Sequence, residues 1–523
     1  MNEDVKTRSP YILAFSLAAL LSVVAEVFLP GTQPEEKDIR VSNVGLCKSC
    51  HAKTPNGNAD PYFSWQGGMM SQAARDPIFR AALVVANQDI PDIGEYCIRC
   101  HAPAGWLGGR AKAADGTGLT RDDLHGVSCD VCHRLVDPEA KEAAQFAGKI
   151  PPGHGNGMMV LDNRKVTRGP YGDGRAVNAH KAIKSPFHAS GNLCGTCHDV
   201  SNPLAARDIH KQKPHSYGPI DRTYSEWLLS DYASGKDARS CQSCHYPQVE
   251  GGGRPTRTST DRHRDHFVEH GAVGGSTWVQ LTIPELWEPD DLNIKALALG
   301  RKKARALLKT AAKLDLSFPG KGKAVLRITN LAGHKLPTGA PEGRRIWVNA
   351  RFMDKDGKLL GEIGKAGLKN DTVNGTPVKA PTLLDPKSTR VYECLPGMSE
   401  EQAGKHKKRP GKSFHLVLND CITFDNRIPP RGFSNEKFKE RHCQPVGVTY
   451  PDGQHWDDFA FDLPAGCVRV EARLLYQSMS WEYLKFLAEE NTTDFSGKKL
   501  MAVWARTGMC PPEPIAEAVA DVP

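Results

Sequence analysis

The pentapeptide CxxCH occurs five times in the first half of this 523-residue chain: CKSCH from Cys47, CIRCH from Cys97, CDVCH from Cys129, CGTCH from Cys194 and CQSCH from Cys241. With 15 cysteines and 19 histidines in the chain, roughly 0.02 chance occurrences are expected, so the repetition reflects a chemical requirement. Two thiols three residues apart share one helical turn, where they can add to the two vinyl groups of a haem, and the histidine that follows reaches the iron. The pattern predicts five covalent haem c groups. Their thioether residues are Cys47, Cys50, Cys97, Cys100, Cys129, Cys132, Cys194, Cys197, Cys241 and Cys244, and their motif ligands are His51, His101, His133, His198 and His245. Zinc ribbons bring two CxxC pairs about 15 to 20 residues apart. Here the motifs begin 50, 32, 65 and 47 residues apart, and each carries its own histidine, which neither zinc ribbons nor disulfides require.

Haem c is attached outside the cytoplasm. Lys6 and Arg8 precede an apolar run over residues 11–25, followed by Glu26, which fits a secretory signal peptide over residues 1–30. An uncleaved N-terminal anchor through Leu29 is the other reading, and it is the sole membrane contact the sequence offers. The expected location is periplasmic or cell-surface. The formal charge of +8 does not imply nucleic acid as a partner: each ferric haem carries two propionates against one net iron charge, so five haems shift the total by roughly −5.

The chain divides by composition. Residues 40–290 hold all five motifs with few long periodic segments, and roughly 40 residues per haem is too little chain for an ordinary apolar core. This part is expected to pack short helices and loops around haem. TYSEWLLSDYA, with Thr223 and Glu226 as a capping box, is expected to lay Trp227 and Leu228 against a porphyrin. A linking helix is expected over residues 291–314. Beyond it the period changes to two: Ile346, Val348, Ala350 and Phe352 alternate with Trp347, Asn349, Arg351 and Met353, and Val468, Val470, Ala472 and Leu474 alternate with Arg469, Glu471 and Arg473. Residues 315–523 are therefore expected to form a β-rich, sandwich-like domain with one late helix near residues 481–490, giving an α+β chain overall. This half holds Cys394, Cys421, Cys443, Cys467 and Cys510. Their odd number leaves at least one unpaired in an oxidising compartment, and Cys421 with Cys443 is the pairing first considered.

Four segments carry a resemblance: HGVSCDVCH from His125, SPFHASGNLCGTCHD from Ser185, TYSEWLLSDYA before the last motif, and NLAGHKLPTGAPEGRR from Asn330. They resemble multihaem cytochromes c of the superfamily that includes tetrahaem electron-transfer cytochromes and hydroxylamine oxidoreductase, in a pentahaem form with a C-terminal β-domain. The resemblance implies closely stacked haems with mostly bis-histidine iron. In those contexts the candidates for the second axial position are His125, His188, His266 and His334. The fifth candidate is a thioether, Met70 in WQGGMMSQAARDP, since methionine is an accepted haem ligand. His154, His180 and His270 stand in reserve. If His334 ligates, the β-domain is docked onto a haem.

An iron with both axial positions filled exchanges electrons and offers no site to a substrate. The sequence therefore reads as an electron-transfer protein with redox proteins as partners, rather than an enzyme. The alternative is an oxidoreductase acting on a small nitrogen or sulfur compound at one five-coordinate haem. Pentahaem nitrite reductases share the haem count, but they commonly use a CxxCK motif, and every motif here ends in histidine.

Overall fold

In the computed structural model, residues 30–36, 39–148, 150–172, 180–205, 212–258 and 262–523 are described. The expected signal peptide or anchor lies outside them. Among the described residues no helix is long and apolar enough to cross a membrane.

Each CxxCH motif lies in a short helix: Val44–His51, Gly94–His101, Cys129–Cys132, Gly191–Gly195 and Cys241–His245. Side-chain caps start two of them. Asn43 accepts from the Gly45 amide at 2.6 Å, and Ser128 Oγ from the Val131 amide at 3.5 Å. The longer helix Pro77–Asp89 opens on Asp76, which accepts from the Ile78 amide at 2.8 Å, and buries Phe79, Leu83 and Val84. Strands in this half are two to four residues long. A conventional core survives around Ile98, Trp106, Leu107, Val131 and Leu161, with smaller clusters around Val136 and Phe146 and around Val44, Tyr62 and Trp65.

The expected capping box does not form. The helix runs Thr223–Leu228 with Arg222 at its cap. It is Asp221 that accepts from the Thr223 amide, at 2.9 Å, while Glu226 reaches across to the other half of the molecule. Trp227 packs over Gly191, where an added Cβ would meet the indole at 2.4 Å.

The connecting helix is Ile294–Leu308, shorter than expected, because Ala312, Leu314 and Leu316 already alternate inward in the strand Ala312–Gly320. Gly300 falls where this helix crosses the turn at Gly67. A Cβ there would lie 2.0 Å from the Gly67 carbonyl oxygen. That close approach explains a glycine in mid-helix, where it otherwise costs about 1 kcal/mol.

The C-terminal half is built from antiparallel sheets. Arg345–Met353 pairs with Arg469–Gln477 over nine residues, and the seven-stranded sheet around them also includes Val391–Met398 and Glu513–Asp521. A three-stranded sheet, with Lys323–Asn330 between Ala312–Gly320 and Trp456–Asp462, lies against it. Leu326 and Ile328 of the small sheet meet Ile346, Val348, Ala350, Val470 and Leu474 of the large one in a single buried cluster. The period-two residues of the sequence are thus the filling of a sandwich. The chain is mixed α+β, helical in its N-terminal part and sheet-forming in its C-terminal part. The late helix is Trp481–Glu490, capped by Ser480. All five non-motif cysteines are free thiols. Cys421 and Cys443 do not pair; their Sγ atoms donate to the Gly397 and Phe438 carbonyls, and with Cys394 they line a cavity of about 200 Å³ between the halves.

Candidate haem-binding sites

In a helix, residues i, i+3 and i+4 share a face, so the helical setting of each motif puts two thiols and an imidazole on one side. Four of the five motif histidines donate from Nδ1 to a backbone carbonyl. His51 meets Pro255 at 2.8 Å, His101 meets Ala73 at 3.2 Å, His133 meets Arg168 at 2.7 Å and His245 meets Val273 at 2.5 Å. A proton held on Nδ1 leaves Nε2 as the free donor, which is the tautomer that binds a metal. Burial works in the same direction: it lowers the His133 and His245 pKa values and pushes His101 down to about 4, so these rings stay neutral and able to ligate.

Two imidazoles on one metal, with a metal–nitrogen bond near that of zinc, about 2 Å, stand with their ring centres about 6 Å apart. Three pairs of described histidines meet this condition. His51 and His180 are 6.4 Å apart at 16°, His245 and His334 are 6.3 Å apart at 27°, and His133 and His270 are 6.2 Å apart at 33°. His188 also lies 5.8 Å from His133, but both its nitrogens are engaged, Nδ1 with Ser185 Oγ at 2.9 Å and Nε2 with the Cys132 carbonyl at 3.0 Å. His334 donates from Nδ1 to the Lys335 carbonyl at 3.0 Å and so presents Nε2 to its partner. Two of the three pairs therefore use reserve histidines, His180 and His270.

The remaining candidates are placed differently. His266 is exposed, with Nδ1 3.4 Å from Gln248 Nε2, and no motif histidine stands in ring contact with it. The segment runs antiparallel to residues 247–249, bridging Gln248 to Val268; Phe267 is buried, and the half-buried His270 donates its amide to Ser64 Oγ at 2.9 Å. His125 lies 5.9 Å from the Trp65 ring and 3.4 Å from Arg75 Nη1, again with no motif histidine beside it. Met70 Sδ takes a contact from Tyr246 Oη at 3.8 Å and faces no motif histidine through any described contact. Among the described residues no second histidine ring pairs with His101 or His198. The ring on His101 is Phe79, stacked at 3.9 Å.

The motifs are packed against one another. The Cys47 thiol lies beside Cys129, Cys100 beside Cys197, and Cys194 beside Cys241. The fourth motif thereby touches two others, one through each of its cysteines. Arg75 is fully buried, its Nε and Nη2 have no partner, and among the described residues it makes no ion pair. A buried guanidinium without an anion is costly, and a haem propionate is the chemistry that would satisfy it. Thiol pairs, neutral histidines with oriented Nε2 atoms, paired rings at metal-bridging separation and an orphaned buried cation all fit haem.

The C-terminal half docks through a buried charge cluster. Lys335 Nζ lies 2.7 Å from Asp425, Arg427 lies 2.7 Å from Asp425 and 3.0 Å from Glu226, and Glu226 also accepts from the Lys335 amide and from Thr338 Oγ1. Two cations face two carboxylates, and the loop that carries His334 is pinned to the helix Thr223–Leu228.

These features are those of the class of multihaem c-type cytochromes. Within it, residues 46–134, which span the first three motifs, match the family model described as cytochrome c554 and c-prime. The fold is similar to that of the penta-heme cytochrome c552 from Thermochromatium tepidum, at 17% identity and a TM-score of 0.51, covering 92% of this chain and 100% of that one. No curated protein matches the chain.

Proposed function

We propose that the protein carries five covalent haems and relays electrons between redox proteins, in the periplasm or at the cell surface. The observation that carries this reading is the set of three histidine pairs at 6.2–6.4 Å, which leaves an iron between them no position for a substrate. Haem, when bound, supplies a one-electron couple at each site. The chain's part is to hold those couples close together, and the thiol contacts between motifs do so. Burial of His101, His133 and His245 keeps their rings neutral, and the backbone carbonyls behind them fix the rings in orientation. Export is supported by the basic-then-apolar N-terminal sequence and by the extracytoplasmic attachment of haem c.

The test is intact mass of the mature protein together with electron paramagnetic resonance. Five haem additions with all ten motif thiols consumed, and at least three low-spin ferric signals, are expected. Four or fewer additions after full maturation would overturn the reading. One observation favours an oxidoreductase instead: neither His101 nor His198 has a second histidine among the described residues. Steady reduction or oxidation of nitrite, hydroxylamine or a small sulfur compound would favour that reading.

A further inference from the structure

Four motif histidines rest on backbone carbonyls, and the fifth does not. Behind His198 stands a carboxylate, Asp221, whose Oδ2 is 3.9 Å from Nδ1. Its other oxygen, Oδ1, is already committed: it accepts from the Thr223 amide at 2.9 Å and from Thr223 Oγ1 at 2.7 Å. Those two bonds leave Oδ2 turned toward the imidazole. Thr223 Oγ1 in turn accepts from the Gly339 amide at 3.0 Å and lies 2.9 Å from Thr338 Oγ1. The carboxylate is therefore held by the same loop that delivers His334 to His245. The strand Pro219–Asp221, paired with Val200–Ser201, fixes its backbone.

We infer that Asp221 is a positioning and tuning residue that makes the His198 iron the lowest-potential site of the molecule. The inference rests on the five-haem reading above. A carboxylate facing Nδ1 draws the imidazole toward imidazolate character, strengthens its donation to iron and stabilises the ferric over the ferrous state. A neutral carbonyl does this less; Asp221 is itself only 11% exposed beside a half-exposed His198, and its charge acts across 3.9 Å. Position gives the effect a consequence. The Cys194 and Cys197 thiols contact Cys241 and Cys100, so the fourth motif joins the second to the fifth. A low potential at that junction makes it the step that limits transfer between the branches.

The experiment is a spectroelectrochemical titration of the holoprotein, with haem count by mass, for the parent, Asp221→Asn, Asp221→Glu and Thr223→Val. In Asp221→Asn with five haems retained, the lowest reduction step should move to higher potential while the other four superimpose on the parent, and the ferric paramagnetic resonance signal of one haem should change. Asp221→Glu, which keeps the carboxylate, should restore most of the shift. Thr223→Val removes one hydrogen bond to Oδ1 while the amide still holds the carboxylate, leaving Asp221 more basic, so the same step should move lower. Opposite signs for the two variants are not expected of general structural damage. A five-haem Asp221→Asn protein whose titration matches the parent overturns the inference. If Asp221→Asn does not fold, an unchanged or raised step in Thr223→Val overturns it. A parent protein with fewer than five haems would instead defeat the five-haem reading.

Discussion

His334 and Glu342 lie in one loop and differ in what they contribute. His334 faces His245 from the C-terminal half, and its replacement by alanine should leave one iron with a single histidine. A new high-spin ferric signal and carbon monoxide binding absent from the parent are expected; an unchanged low-spin spectrum would exclude this pairing. Glu342 is fully buried, and burial pushes its pKa up from 4.5 to about 7. Because the folded pKa lies above the unfolded one, its contribution favours folding below pH 4.5 and is lost as pH rises through 7. Between those values the loss amounts to at most about 3 kcal/mol. Glu342→Gln should remove that slope and make the protein more stable at neutral pH, as read by denaturant unfolding at pH 4.5, 6 and 8. At this scale the five motifs are legible in the sequence because thioether chemistry would fix their spacing. Which histidines stand opposite them is not. His266 and His270 share one segment and differ by four residues, and only the bridge to residues 247–249, a long-range pairing, decides which of them stands opposite a motif histidine.

At the scale of elements, periodicity read the C-terminal half well. The strand over Arg345–Met353 and the helix Trp481–Glu490 fall where alternation and amphipathic spacing put them. The helix before the sandwich was overestimated, since Ala312 and Leu314 suit a helix face and a strand face equally, and pairing with Ile328 and Asn330 settles the matter. The capping box failed because Glu226 is drawn to Arg427 and Thr338, partners more than 200 and more than 100 residues away in sequence. Gly300 shows the same limit. Helix propensity alone favours alanine there by about 1 kcal/mol, yet the 2.0 Å approach to the Gly67 carbonyl leaves no room for a Cβ. Gly300→Ala should therefore lower the melting temperature, whereas a gain would show that this helix crossing is loose.

Across the whole molecule, the two halves are joined by charges no sequence pattern announces. Lys335, Asp425, Arg427 and Glu226 balance one another out of contact with water. Asp425→Ala would strand two cations against one carboxylate, and a loss of about 3–5 kcal/mol is expected, read as a lowered unfolding midpoint. Since the same loop carries His334, that variant should also shift the spectrum of one haem, which a purely local defect would not do. The final expectation concerns the open positions. On the five-haem reading, three histidine pairs account for His51, His133 and His245, so among the described residues open iron positions are expected only at His101 and His198. Reduced protein offered carbon monoxide should bind no more than two equivalents, and nitrite or hydroxylamine should give no steady turnover if the protein is a relay. Binding of three or more equivalents would show that at least one histidine pair does not close on its iron, and sustained turnover at two or fewer would turn the junction at His198, or its neighbour at His101, into a reactive centre.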